Sequence, residues 1–169
     1  YYHIAAGGWS LIALSVGGRI VQFTEVTPEN MLGLMLAHRA THVIMVPTVM
    51  QLFITHPQAS KADYSSVEWV VYGGSPISET VMIGAKEVFG AELGQSYGLT
   101  ETIGVTTILG ASDHVVGQAG KLRSAGRAVA GLELVIRDAE TGKELPTGEV
   151  GEVVVRGPGV TKGYWRKPE

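Results

Sequence analysis

With 169 residues, 45% of them hydrophobic and 17% charged, the chain carries enough apolar material for one ordinary globular core and a second small one. Thirteen Lys+Arg stand against 16 Asp+Glu, a formal net charge of -3, and the basic residues form no run between Arg19 and Lys167, so nothing points to nucleic-acid binding. The absence of cysteine excludes disulfides, thiolate metal sites and a thiol nucleophile, and it fits a reducing cytoplasm.

The first apolar stretch, Trp9 to Val16, is far shorter than the roughly 20 residues that span a bilayer. Gly17-Gly18-Arg19 stops it, so neither a transmembrane nor a signal segment is expected. Thr27-Pro28 then supplies an N-cap followed by proline in the first turn, and the spacing puts Met31, Leu34, Met35 and His38 on one helical face. Val43-Ile44-Met45-Val46 is a continuous apolar run closed by Pro47-Thr48, which predicts a buried strand feeding a helix with Val49, Leu52 and Phe53. Trp69-Val70-Val71-Tyr72 repeats the strand signal and runs into Gly73-Gly74-Ser75-Pro76. A helix starting near Ser75 or Ser78 follows, carrying Val81, Met82, Ala85, Val88 and Phe89 and stopped by Gly90. A further short strand leads to Tyr97. This alternation predicts an α/β fold with a mainly parallel sheet under covering helices.

Beyond about residue 115 the pattern changes. Leu132-Glu133-Leu134-Val135-Ile136 and Val150 to Val155 are strand-like, separated by the turn Glu140-Thr141-Gly142-Lys143, and are predicted to pair antiparallel. A soft boundary between residues 110 and 125 divides an α/β part, residues 1–115, from a β-rich part, residues 116–169. A chain that begins at Tyr1 rather than methionine reads as a piece of something longer.

Two predicted strand ends carry unusual residues, Tyr72-Gly73-Gly74-Ser75-Pro76 and Gln95-Ser96-Tyr97-Gly98-Leu99-Thr100-Glu101. Open α/β sheets bind ligands outside the carboxyl ends of their strands. Gly73 and Gly74 leave a flat ring unobstructed, Tyr97 offers a stacking face, Thr100 a hydroxyl for a phosphate oxygen, and Glu101 a hard carboxylate of the kind that completes a Mg²⁺ shell. Two readings fit: a nucleotide site, or a routine strand-to-helix turn with a packing tyrosine. Ser75 is no nucleophile elbow, since Gly-Gly-Ser-Pro-Ile lacks the second glycine of G-x-S-x-G, and no G-x-x-x-x-G-K-[ST] loop is present. The five histidines lack metal-ligand spacing. His3, within Tyr1-Tyr2-His3-Ile4-Ala5-Ala6-Gly7-Gly8-Trp9, either lines an apolar tunnel or caps the helical run that follows.

Those motifs resemble the middle of an AMP-forming acyl-CoA synthetase, of the adenylate-forming family that includes luciferases and peptide-synthetase adenylation domains. Tyr2-His3 is similar to the family's aromatic-His segment, Tyr72 to Pro76 to its adenine-binding turn, and Gln95 to Glu101 to its most specific signature. Gly148 to Gly157 and Gly163-Tyr164-Trp165 resemble the segment before its ribose-binding aspartate. The resemblance implies a cofactor-binding set of Gly73, Gly74, Ser75, Pro76, Gln95, Ser96, Tyr97, Gly98 and Thr100, and a catalytic set of Thr100, Glu101 and His3. Within them Gly74, Ser75 and Pro76 border the adenine, Tyr97 stacks on it, Thr100 touches the α-phosphate, and Glu101 binds Mg²⁺. His3 would sit where acyl and thiol tunnels meet, with Gly73, Gly98, Leu99 and Val46-Pro47-Thr48 near the acyl pocket. It further implies that residues 116–169 form part of a small antiparallel β-barrel, and that ATP, Mg²⁺, coenzyme A and a fatty or other hydrophobic carboxylic acid are the partners.

Departures from the family matter too. The chain contains no Ser/Thr/Gly-rich phosphate loop with its lysine, no ribose-binding aspartate, no hinge and no C-terminal catalytic lysine, and alanines replace the usual prolines within Gly126 to Gly131. The chain alone is therefore expected to be inactive, and its exposed apolar surface to favour a homodimer. Two rivals remain open: an adenylation domain loading a carrier protein, and a non-catalytic binding or scaffold module that keeps the fold.

Overall fold

A computed structural model describes residues 3–115, 117 and 121–167. Helix α1, Ile4–Ser15, absorbs the first apolar run but buries little of it: Leu11, Ile12, Leu14 and Val16 are exposed. Among the described residues, no helix is long and apolar enough to cross a membrane. Helix α2, Pro28–Ala37, starts as predicted, with Thr27 Oγ1 accepting from the Asn30 N–H at 3.3 Å. Its buried face is Met31, Leu32 and Met35; Leu34 is half-buried and His38 is the exposed C-cap.

Strand β1, His42–Met45, runs parallel to β2, Trp69–Gly73, which runs parallel to β3, Glu92–Tyr97. Helices α3, Pro47–Ile54, and α4, Glu79–Phe89, connect them. Pro47 opens α3, where its missing N–H costs nothing. Ser78 Oγ caps α4 at the Val81 N–H, and Gly90 ends the helix in the left-handed conformation. The core lies between these helices and the sheet. Phe53 and Phe89 stack with ring centroids 5.3 Å apart, and Tyr64 meets both edge-on. Met50, Met82, Val70 and Leu93 complete it, fully buried.

The sheet is mixed at its far side. Strand β4, Thr107–Leu109, pairs antiparallel with β3, and β5, Arg127–Ala128, pairs antiparallel with β4. Such short strands show no readable period, so they have no counterpart among the predicted elements. Strands β6, Glu133–Arg137, and β7, Glu152–Arg156, form a separate antiparallel pair. The turn after β6 is organised by Asp138 Oδ1, which accepts from the N–H groups of Glu140 and Thr141 and from the Thr141 hydroxyl. Of the barrel the resemblance implies, the described residues form this two-stranded ribbon.

Two devices hold the edge of the sheet at the carboxyl ends of β2 and β3. The first is buried and polar. His114, fully buried, is 2.8 Å from the Gly110 carbonyl through Nδ1 and 2.9 Å from the Tyr72 hydroxyl through Nε2. A carbonyl only accepts, so Nδ1 carries the proton, and the neutral ring that burial favours leaves Nε2 to accept from the Tyr72 hydroxyl. Burial holds its pKa below the ordinary 6.5. The second device is a close approach. A Cβ on Gly98 would lie 1.4 Å from the Gly104 carbonyl oxygen, so only glycine lets the chain fold back on itself there.

Both devices make predictions. Because the unfolded chain binds the His114 proton more readily, the stability that His114 confers is complete above about pH 6.5 and is lost as pH falls towards its lower folded value. Urea midpoints should drop between about pH 7.5 and about pH 5.5, and His114→Gln should flatten that slope. Gly98→Ala should cost about 3 kcal/mol or more in the same assay. Gly33→Ala is the control, since it sits in the exposed interior of α2 with nothing within 4 Å; it should add about 0.5–1 kcal/mol through helix propensity.

Candidate functional site at the carboxyl ends of β2 and β3

Parallel pairing brings the two notable strand ends side by side. Gly73 and Ser96 are register partners, so the chain leaves β2 at Gly74 and β3 at Tyr97 along one edge of the sheet. The approach is tight: a Cβ on Gly73 would sit 2.5 Å from the Ser96 carbonyl oxygen and 2.8 Å from its Oγ. Gly74 turns the chain at φ 79°, and Ser75 and Pro76 are exposed before Ile77 buries itself and Ser78 begins α4. Val46, at the end of β1, lies 3.8 Å from where a Gly74 Cβ would be, so the Val46-Pro47-Thr48 region borders the same turn.

After Tyr97, half-buried, the chain makes one short helical turn over Thr100–Thr102. Thr102 anchors that turn from inside. Its buried Oγ1 accepts from the Leu99 N–H at 3.0 Å and from the Thr106 hydroxyl at 2.9 Å, and donates to the Leu99 carbonyl at 3.1 Å. With Thr102 fixed inward, its neighbours Thr100 and Glu101 point out and are exposed. Thr106 N–H then returns to the Tyr97 carbonyl at 2.7 Å, which starts β4.

Glu101 is held twice. Its carboxylate Oε1 accepts from the Tyr164 hydroxyl at 2.8 Å, and its carbonyl accepts from the Thr161 N–H at 2.8 Å. The Tyr164 bond, with a backbone hydrogen bond second, holds the Glu101 carboxyl below its ordinary range, so it is ionised at neutral pH. The same bond pushes the Tyr164 hydroxyl up. No cluster of three or more potential metal ligands exists among the described residues. A lone, exposed, ionised carboxylate nevertheless fits Mg²⁺ of the nucleotide-borne kind, which takes one or two carboxylates and draws its other ligands from phosphates and water.

His3 is exposed and caps α1, its Nδ1 accepting from the Ala5 N–H at 3.2 Å. The adjacent Ile4 approaches Gly104, two residues beyond the Thr100–Thr102 turn, its Cγ1 lying 3.2 Å from where a Gly104 Cβ would be. Tyr1 and Tyr2 lie outside the described residues. The sequence offers Tyr164 only within a family-like segment, with no role, and gives no sign of the Tyr72–His114 pair as such. The usable clue to the latter was a tyrosine inside an apolar strand, whose hydroxyl needs a partner; Tyr72 O–H also lies 3.4 Å from Gln95 Oε1. The open hollows lined by Val67, Glu68, Lys86, Gly90, Ala91 and Glu92, and by residues 62–65 with residues 87–90, lie at the amino ends of β2 and β3, the edge opposite the one where such sheets bind ligands.

Known proteins share this arrangement. The family described as AMP-binding enzyme matches residues 1–165. The fatty acid–(acyl-carrier-protein) ligase ScoC of Streptomyces coeruleorubidus is 31% identical over 168 residues, 99% of this chain and 32% of its own length. The medium/long-chain-fatty-acid–CoA ligase FadD8 of Mycobacterium tuberculosis is 33% identical over 153 residues, 90% of this chain and 26% of its own. Among solved structures, the amide bond synthetase McbA from Marinactinospora thermotolerans matches at TM-score 0.85 and 37% identity, over 96% of this chain and 32% of that one. The chain spans about a third of the length of the relatives it matches. With fold and sequence agreeing from end to end, this chain belongs to the AMP-binding enzyme family.

Proposed function

We propose that the chain forms one wall of the adenylate site of an ATP-dependent acyl-CoA synthetase acting on a fatty or other hydrophobic carboxylic acid. The observation that carries this reading is the juxtaposition of Gly73-Gly74-Ser75-Pro76 with Tyr97, Thr100 and Glu101 at one sheet edge. Gly73, Gly74, Ser75 and Pro76 border the adenine, Tyr97 stacks on it, and Gln95, Ser96 and Gly98 shape the strand end beneath. The Thr100 hydroxyl donates to an α-phosphate oxygen. Glu101 holds Mg²⁺, which when bound neutralises phosphate charge as the reaction proceeds.

Chemistry runs in two steps. A carboxylate oxygen of the acid attacks the α-phosphorus of ATP, and the bond to pyrophosphate breaks, leaving an acyl-adenylate. The coenzyme A thiol, losing its proton, then attacks the acyl carbon and AMP departs. His3, whose neighbour Ile4 approaches Gly104, borders the path where acyl group and thiol meet. A second reading changes only the acceptor, and ScoC favours it: that relative loads an acyl carrier protein. McbA, by its description, makes amide bonds. The acceptor thus differs among relatives, while an adenylate would serve each.

Two experiments test the reading. In the full-length gene product, acyl-hydroxamate formation across a panel of acids should require ATP and Mg²⁺, and Glu101→Ala should slow it by about 100-fold while weakening its Mg²⁺ dependence. Unchanged rate and metal dependence would reduce Glu101 to a structural residue. The 169-residue chain alone should form no hydroxamate and release no pyrophosphate, because the lysine-bearing phosphate loop, ribose-binding aspartate and catalytic lysine of the family are not in its sequence. Turnover by the pure chain would refute that.

A further inference from the structure

Tyr164 reaches Glu101 from 63 residues further along the sequence. The same short stretch holds both ends of that residue: Thr161 N–H donates to its carbonyl and Tyr164 O–H to its carboxylate, each at 2.8 Å. The stretch approaches closely, since a Cβ on Gly159 would lie 3.3 Å from the Thr102 carbonyl oxygen. Tyr164 is itself held in a tight turn, its carbonyl accepting from the Lys167 N–H at 3.1 Å.

Folding energy does not account for the carboxylate bond. Glu101 is exposed and Tyr164 is 58% exposed, and a hydrogen bond within reach of water adds little to stability. What it does supply is orientation. A glutamate side chain has several rotatable bonds, and a partner that pins its carboxylate removes beforehand the freedom that binding a cation would otherwise have to remove. Partners behind a ligating carboxylate act in this way at metal sites generally. Oε1 takes the tyrosine bond, whereas Oε2 receives no hydrogen bond from the described residues and so keeps its lone pairs for a ligand.

We propose that Tyr164 is a positioning residue for the Glu101 carboxylate and sets how tightly Glu101 holds the divalent cation of the nucleotide, an inference that rests on the reading of Glu101 as the Mg²⁺ ligand. Calorimetric titration of ATP into the full-length gene product over a Mg²⁺ series tests it, with Tyr164→Phe, Glu101→Gln and the double variant. Tyr164→Phe should raise the Mg²⁺ concentration for half-maximal ATP binding about 10-fold. ATP binding in EDTA and the metal-free melting temperature should not move. In the Glu101→Gln background Tyr164→Phe should add nothing, because both changes remove one coupled interaction. Tyr164→Phe with wild-type Mg²⁺ dependence, or an additive double variant, overturns the proposal; so does a lowered metal-free melting temperature as the sole effect, which marks a structural tie. If Glu101→Gln itself binds Mg²⁺ and ATP like wild type, the reading of Glu101 is wrong and the inference falls with it.

Discussion

The missing side chain at Gly98 is the constraint on which the candidate site depends. Because the Gly104 carbonyl oxygen occupies the space a Cβ would need, the chain leaving β3 can fold back at once. Thr106 N–H then bonds the Tyr97 carbonyl and β4 returns along β3. That return makes Thr100 and Glu101 the apex of a tight turn, held from within by Thr102 and exposed to whatever lies beyond the sheet edge. A longer loop could carry the same residues but would not hold them still.

Behind the turn the structure is rigid for ordinary reasons. Fully buried side chains from α3, α4, β2 and β3 interlock around the Phe53–Phe89 stack, so the two glycine-bearing strand ends emerge from a packed layer. The Tyr72–His114 pair adds a polar brace across the sheet just behind the β2 turn, and Lys86 Nζ on α4 donates to the His114 carbonyl at 3.0 Å. Helix α1 contrasts with this core. Leu11, Ile12 and Leu14 on it are exposed, so it takes little part in that packing.

Several elements were readable before any coordinates. Thr27-Pro28, Ser78 and Gly90 bound their helices by local chemistry, and Val81, Met82, Ala85 and Phe89 show their buried face in their spacing alone. The pairing of strands β6 and β7 was equally plain from two apolar runs around the turn Glu140-Thr141-Gly142-Lys143. Strands β4 and β5 were not, since a strand of two or three residues has too few positions to show alternation. His38, placed by spacing on one helical face with Met31, Leu34 and Met35, is instead the C-cap of α2, because the helix ends at Ala37.

The candidate site divides along the same physical line. Gly73-Gly74-Ser75-Pro76 and Gln95 to Glu101 stand out in the linear chain because turn residues and aromatic, hydroxyl and carboxylate groups fall close together, and interactions over a few residues are set by local geometry. Their adjacency belongs to the fold, through the register of two strands separated by a helix. So do the contacts of Glu101 with Thr161 and Tyr164 and of Tyr72 with His114. Partners 42 or 63 residues apart share no period or spacing, and only packing the intervening chain brings their polar atoms within bonding distance.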